Sequence, residues 1–373
     1  MKLSIDRAVL MKTLARAQSA VERRTTLPIL SNVLLVADNG VLSVTATDTD
    51  MTISEEVACR VDTPGATTAP AHTLHDIIRK LPDGTEVKLD DENGGDRLKI
   101  TARRASFALA TLPRADFPLP SEPDAQVRFQ LAGAELKRLI DDTRFAMSTE
   151  ETRHTLNGVY LHTITGGTET PCLRGAATDG HRMARFETEM PAGAEQMAGV
   201  IMPRKTITEL NKLLDHHDGD VEVEVTPTQI RFGFGITRIV SKVIDGQFPD
   251  YERVIPANNP HLMSVPAKAF ARAVDRVSTI TTDRTRAIKL ELTQDCVTLS
   301  AVGPSTGEAR EEIDASYEGA DMEIGFNVRY LLDMIERIGD GEALVEMNDA
   351  LSPAIIRNAA DDGALYVLMP MRV

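Results

Sequence analysis

One arrangement of apolar residues returns six times along this chain of 373 residues, and repetition on that scale leaves few architectures open. Amphipathic helices are expected over residues 6–21, 133–147 and 266–277. Their apolar faces are spaced by three and four: Val9, Leu10, Leu14, Ala17 and Val21; then Leu136, Leu139, Ile140 and Phe145; then Phe270, Ala273, Val274 and Val277. A second helix sits near the middle of each third of the chain. Leu74, Ile77, Ile78 and Leu81 form its face after Pro70, and Ile207, Leu210 and Leu214 repeat it 133 positions on, after Pro203. A shift of 257 gives Leu331, Met334, Ile335 and Ile338. Asp83-Gly84, Asp218-Gly219 and Asp340-Gly341 then turn the chain into alternating runs that read as strands.

About three short strands follow each helix. In the first third they are expected at 32–36, 41–45 and 52–57, with Asp38-Asn39-Gly40 as a hairpin turn, and then at 86–89, 97–101 and 106–112. A loop recurs as well: Ala46-Thr-Asp-Thr-Asp-Met51 against Ala177-Thr-Asp-Gly-His-Arg-Met183. Two proline-rich stretches, 113–123 and 248–260, lack backbone donors and read as extended connectors. Cutting there gives three domains, 1–125, 126–256 and 257–373. Each is a helix plus three strands performed twice, an α+β fold built on antiparallel sheets. No apolar run approaches the length of a membrane span, and the first residues are not signal-like. Cys59, Cys172 and Cys296 are scattered, with no Cys-x-x-Cys pair, as in a reducing cytoplasm; they are expected to be packing residues.

A net charge of −15, taken as one total, argues against nucleic acid. Its distribution argues otherwise. The six helix windows with their flanks (6–24, 70–81, 133–148, 203–215, 266–286 and 327–338) hold 20 Lys and Arg against 12 Asp and Glu. That surplus of 8 leaves −23 on the strands and loops. Binding to phosphates needs cations gathered on one surface, not a positive sum. A basic helix layer on an acidic sheet layer would attract DNA on one side and repel it on the other, through loose contacts that ignore sequence.

Catalytic signatures are absent. No phosphate-binding Gly-rich motif, zinc spacing or nucleophile elbow occurs, and no cofactor is implied. Gly233-Phe-Gly235 lies in a strand-like run, His216-His217 closes a helix without companion ligands, and Asp90-Asp91-Glu92 reads as a solvated turn. The most enzyme-like group is Asp179, His181 and Arg182, which could serve acid–base chemistry. Yet Thr47-Asp48 repeats Thr178-Asp179 without the His-Arg pair, so Thr-Asp reads as a turn device. His181 and Arg182 then mark a surface specialised for a partner. An interdomain enzyme and an open monomeric scaffold are the rival readings.

Four segments carry a family resemblance: Thr178-Asp-Gly-His-Arg-Met183, Asp245-Gly-Gln-Phe-Pro-Asp-Tyr251, Met322-Glu-Ile-Gly-Phe-Asn327 and Tyr366-Val-Leu-Met-Pro-Met-Arg-Val373. With Thr26-Leu-Pro-Ile-Leu30 they resemble, in order and along the whole chain, the beta subunit of bacterial DNA polymerase III, the sliding-clamp family. The resemblance implies a non-catalytic processivity factor: three tandem DNA-clamp domains per chain, and a head-to-tail homodimer closed into a pseudo-sixfold ring around duplex DNA, helices inside and sheets outside. Phe107 and Leu109 match its interface on one side, with Val277 and Ile280 near the other.

It further implies a pocket for short peptides of the polymerase, the clamp loader and other replication and repair proteins. The matching positions are Leu156, Thr178, Gly180, His181, Arg182 and Met183 in the second domain, and Pro249, Arg253 and Val254 in the connector. In the third they are Asn327, Tyr330, Leu351, Pro353 and the tail Val367, Leu368, Met369, Pro370, Met371 and Arg372. Arg24, Arg204 and Lys205 match positions facing DNA. His154 and Thr155 stand where some relatives carry aromatic residues, and Pro353 where some carry Ser.

Overall fold

The computed structural model describes the chain except residues 23–24, 92–95, 122, 167–169, 283–285 and 304–306. Its helices are α1 (Arg7–Ala17), α2 (Ala71–Lys80), α3 (Gly133–Thr143), α4 (Arg204–Leu214), α5 (Ala267–Ser278) and α6 (Val328–Ile338). Each begins directly at the end of a short strand: Lys2–Asp6, Gly65–Pro70, Val127–Ala132, Val200–Pro203, His261–Pro266 and Met322–Asn327. The repeat is therefore strand, helix and three strands, and the leading strand is the part that periodicity missed. A run as short as Lys2-Leu-Ser-Ile-Asp6 abuts its helix with no Gly or Pro turn between them, so no local signal separates the two.

The helix starts are set by chemistry the sequence carries. Asp6 accepts from the backbone N–H of Ala8 and Val9, and Asn327 from those of Arg329 and Tyr330. Pro70, Pro203 and Pro266 occupy the same boundary elsewhere. Two helices stop earlier than expected: α1 ends at Ala17, and α3 at Thr143 with a tighter turn, Arg144–Ala146, after it. The core faces hold, with Leu10, Leu14, Ala17, Leu74, Ile78, Ile207, Leu210, Met334 and Ile335 all buried. Val9 instead points to solvent, 41% exposed.

The chain divides into two compact units, residues 1–133 with 216–243, and 134–215 with 244–373. The division runs through the middle third because sheets continue across the junctions between repeats. In the first unit α1 packs with α2, and an eight-stranded sheet contains the antiparallel pairing of Met51–Ala58 with Thr237–Lys242, Thr52 opposite Val240. In the second unit α5 packs with α6, and a nine-stranded sheet contains the pairing of Arg182–Glu189 with Asp361–Leu368, Met183 opposite Val367. Each such joint uses the last strand of two repeats. Two last strands remain, Ala105–Ala110 and Gly307–Asp314, and both are sheet edges.

Smaller expectations resolve locally. Asn39 and Gly40 adopt φ of 46° and 80°, the hairpin geometry anticipated for Asp-Asn-Gly. His217 stacks obliquely on Phe234 and reaches the carbonyl of Asp220, a structural role. Asp91 is not solvated: it is buried and pairs with the amino group of Met1 at 2.7 Å, while Glu92 lies outside the described residues.

Candidate functional site

The loop from Thr178 to Met183 is built from its own side chains. The Thr178 hydroxyl donates to the Arg182 carbonyl at 2.7 Å and accepts from the Gly180 N–H; Asp179 accepts from the N–H groups of His181 and Arg182. Its counterpart in the first unit repeats the pattern atom for atom. Thr47 donates to the Met51 carbonyl and accepts from Thr49, and Asp48 accepts from Asp50 and Met51. Gly180 and Thr49 share the left-handed conformation, with φ of 89° and 81°. Thr-Asp is thus a turn device, as the repetition suggested.

What differs is the decoration. The Arg182 side chain is turned inward, 7% exposed, and binds Asp179 at 3.0 Å, Asp333 of α6 at 2.5 Å and the Phe145 carbonyl at 2.6 Å. Its guanidinium also lies 4.2 Å from the Tyr330 ring centroid. Every donor edge is spent on the protein, so Arg182 is a brace rather than an exposed contact. His181 stays outside, roughly parallel to Tyr330 at 6.4 Å.

Val254, Leu351, Met369 and Met371 are all well exposed, though each is a large hydrophobe. Beneath them Ala176, Met183, Ile201, Phe248, Tyr251 and Val367 form a buried cluster, with Leu156 packed against it. Asp349 accepts from the N–H groups of Leu351 and Ser352, a tight turn that holds Leu351 outward. The tail bridges two elements: Met369 N–H donates to the His181 carbonyl and Met371 N–H to that of Gly325.

A polar network lies under the connector. Arg174, 2% exposed, pairs with Glu187 at 2.8 Å and with Glu252 at 2.6 Å, and donates to the Tyr251 hydroxyl at 3.4 Å. The Tyr251 hydroxyl also meets His162 Nε2 at 3.0 Å. Tyr160 stacks between Phe248 and His162. Burial, reinforced by the Arg174 charge, pushes the His162 pKa down to about 4, and burial pushes the Tyr251 phenol up to about 12. His162 is therefore neutral at pH 7 and the hydroxyl remains a donor.

Comparison with known proteins decides which family the chain belongs to. Three domain profiles of the DNA polymerase III beta subunit match in sequence: the N-terminal domain over residues 1–121, the central domain over 130–250 and the C-terminal domain over 252–372. The chain belongs to the DNA polymerase III beta-subunit family, the sliding clamps. It is 48% identical to the beta sliding clamp of Caulobacter vibrioides and 38% identical to that of Escherichia coli K12, each over the full length of both chains. Among solved structures, a sliding clamp from Bartonella birtlesii bound to griselimycin superposes with a TM-score of 0.96 at 44% identity, covering both chains completely. A Caulobacter crescentus sliding clamp, with polyethylene glycol bound to a putative beta-motif tethering region, also gives 0.96 at 48% identity, over 100% of this chain and 99% of that one. The fold is that of three tandem clamp domains.

Against that frame the site residues sort into groups. Val254, Leu351, Met369, Met371 and His181 reach the surface, as do Pro249, Arg253 and Arg372. Leu156, Thr178, Tyr330, Pro353 and Pro370 are half-buried, while Met183, Val367 and Leu368 are buried. Asn327 caps α6, so its carbonyl oxygen is already engaged. On the nucleic-acid side, Arg24 lies outside the described residues. Arg204 is half-buried and engaged within the fold: it donates to the Asn157 side chain and to the carbonyls of Met147 and Ser148. Lys205 is half-buried. Phe107 is 37% exposed on its edge strand and Leu109 is half-buried beside it. Val277 cannot meet a second chain, because it is 2% exposed on the core face of α5; Ile280, just past that helix, is half-buried.

Sequence reasoning missed Phe145, Asp333, Arg174 and His162. None shows its role locally: Arg182 and Asp333, for example, are 151 positions apart.

Proposed function

We propose that two copies of this chain close head to tail into a ring of six domains that encircles duplex DNA and holds the replicative polymerase there, without catalysis of its own. The three domains are taken as 1–125, 126–256 and 257–373. The observation that carries the reading is the pair of unused last strands. Both joints within the chain pair the last strands of two repeats, and only Ala105–Ala110 and Gly307–Asp314 are left over. Exposed edges of this kind invite strand addition. Their charges are complementary: Arg103 and Arg104 precede one, and Glu308, Glu311, Glu312 and Asp314 outnumber Arg310 along the other. Such a contact avoids endless polymerisation only if its rotation closes.

Topological enclosure holds a partner on DNA without tight affinity. The basic helix windows suit loose phosphate contact, with exposed Lys12, Lys80, Arg272 and Arg329 the cations best placed to make it. Ring opening then falls to a separate loader, since this chain carries no nucleotide motif. The apolar surface around His181 suits the Leu- or Phe-rich end of short peptides from the polymerase, the loader and repair proteins. Such a protein works in the cytoplasm; no described helix is long and apolar enough to cross a membrane.

Light scattering tests closure. The 40.7 kDa chain should give about 81 kDa, and the loaded protein should stay on closed circular DNA and slide off once the circle is cut. A stable monomer at micromolar concentration would remove the ring.

A further inference from the structure

We infer that Arg174 is a positioning residue for the partner-peptide surface, tying the connector down so that Pro249, Arg253 and Val254 form one of its walls. The inference rests on the peptide-binding reading above. Arg174 lies on the strand Cys172–Thr178, whose other end enters the Thr178 turn. Its guanidinium is buried beneath the connector and grips it at two successive residues, the Tyr251 hydroxyl and the Glu252 carboxylate. Glu187, on the neighbouring strand, holds the same guanidinium from the other side at 2.8 Å and also binds Arg185 at 3.0 Å. His162, which meets the Tyr251 hydroxyl at 3.0 Å, is neutral.

Connector residues on either side of the grip behave differently. Phe248 and Tyr251 are buried, whereas Pro249, Arg253 and Val254 are exposed. The four-residue turn Tyr251–Val254 begins at the gripped residue, so the anchor sets where Val254 emerges. A connector without it would retain Phe248 in the core but lose the fixed height of its outer wall. The first-unit counterpart of Arg174 is Ser43, by the register that places Thr47 on Thr178, and Pro120, three residues after Phe117 as Tyr251 is after Phe248, takes the place of Tyr251 with no hydroxyl to hold. The anchor occurs in one joint and has no equivalent guanidinium in the other.

The test uses the full-length dimer and a fluorescein-labelled peptide bearing a Gln and a Leu-Phe end, read by polarisation, with hydrogen exchange followed over residues 244–256. Arg174→Ala should weaken the peptide about tenfold and speed exchange in 248–254, leaving retention on circular DNA unchanged. Tyr251→Phe and Glu252→Gln each remove one grip without removing the buried cation, and should weaken the peptide about two- to threefold. If Arg174→Ala does not fold, these two decide. Wild-type affinity and wild-type exchange in the folded variants would overturn the proposal. Should wild-type protein bind no such peptide, the peptide reading fails, and exchange alone then reports whether Arg174 anchors the connector.

Discussion

The two joints of this chain share a backbone and part company in their side chains. In the first, the turn Thr47–Met51 is closed off by Lys242, whose N–H donates to the Asp50 carbonyl at 2.8 Å and whose ammonium pairs with the Asp50 carboxylate. In the second, the equivalent turn carries His181 and Arg182, and the chain runs on past the joint as the tail 369–373. The buried clusters beside the joints correspond position by position: Leu30 with Leu156, Leu34 with Tyr160, Val36 with His162 and Phe117 with Phe248. The first cluster is aliphatic apart from Phe117, whereas the second has Tyr160 and Tyr251 beside the polar pair His162 and Arg174. A repeated scaffold keeps the positions, and a handful of side chains decide how the two copies differ.

Removing the brace should have the largest effect. Arg182→Ala leaves Asp179 and Asp333 facing a gap and frees the His181 turn from α6. A buried ion pair broken on one side costs about 3 kcal/mol, and Asp333 is only partly shielded, so the loss should not exceed that. Peptide affinity should fall more than tenfold in the same variant, while dimer mass holds. A change in the first joint's turn, Asp50→Ala, removes an exposed pair and should cost under about 1 kcal/mol. Equal losses from the two changes would erase the distinction drawn here.

Acid should separate the joints next. His162 titrates near 4 in the folded chain against about 6.5 when unfolded, so the unfolded state binds more protons between those values. Its contribution is intact above pH 6.5 and is lost as pH falls towards 4, by up to about 3 kcal/mol. Val36 offers the first joint nothing to titrate. Urea midpoints of wild type and His162→Gln, taken at pH 7 and 4.5, should therefore converge as pH falls. A constant gap between the two proteins would show that His162 titrates alike in the folded and unfolded chain.

These contrasts also mark how far the sequence could be read. Helix faces were legible because α5 and α6 show period 3.6 over whole turns, and the Thr-Asp turn because its bonds span at most four residues. Leading strands were not, being too short to show a period. The candidate pocket was legible by resemblance alone: its residues come from distant segments such as Met183 and Val367, which sheet pairing sets opposite each other and no spacing records. Arg182 and Arg204 illustrate the limit most plainly. An arginine in a motif reads as a hand held out, whereas here both are clasped to carbonyls and side chains of the fold.

A third change probes the first joint by itself. The Glu55 side chain is fully buried, and one carboxylate oxygen accepts from Arg16 of α1 at 2.7 Å and from the Thr237 hydroxyl at 2.6 Å. It ties helix, strand and joint together. Glu55→Gln keeps the shape and weakens two charge-assisted bonds, which should lower stability by about 1–2 kcal/mol with peptide affinity unchanged. Weaker peptide binding in this variant would mean that the joints communicate.

The smallest effect concerns the turn itself. Thr49 holds φ of 81°, a region costly for a β-branched residue, where its counterpart is Gly180 at 89°. Thr49→Gly removes strain of about 1 kcal/mol and adds back much of it as chain entropy in the unfolded state, so a net gain of about 0.5 kcal/mol is expected. The reverse change, Gly180→Thr, has no such offset. It imposes the strain on the turn that carries His181, and a Cβ there meets the Arg153 guanidinium at 3.1 Å. Arg153 is an exposed, movable side chain, so the cost should remain near 1 kcal/mol in stability, read as a shift in urea midpoint. If glycine stabilises the first turn and threonine destabilises the second by similar small amounts, the two backbones are interchangeable, and all that distinguishes the joints resides in side chains. Opposite signs would show that the first turn has adapted its surroundings to threonine.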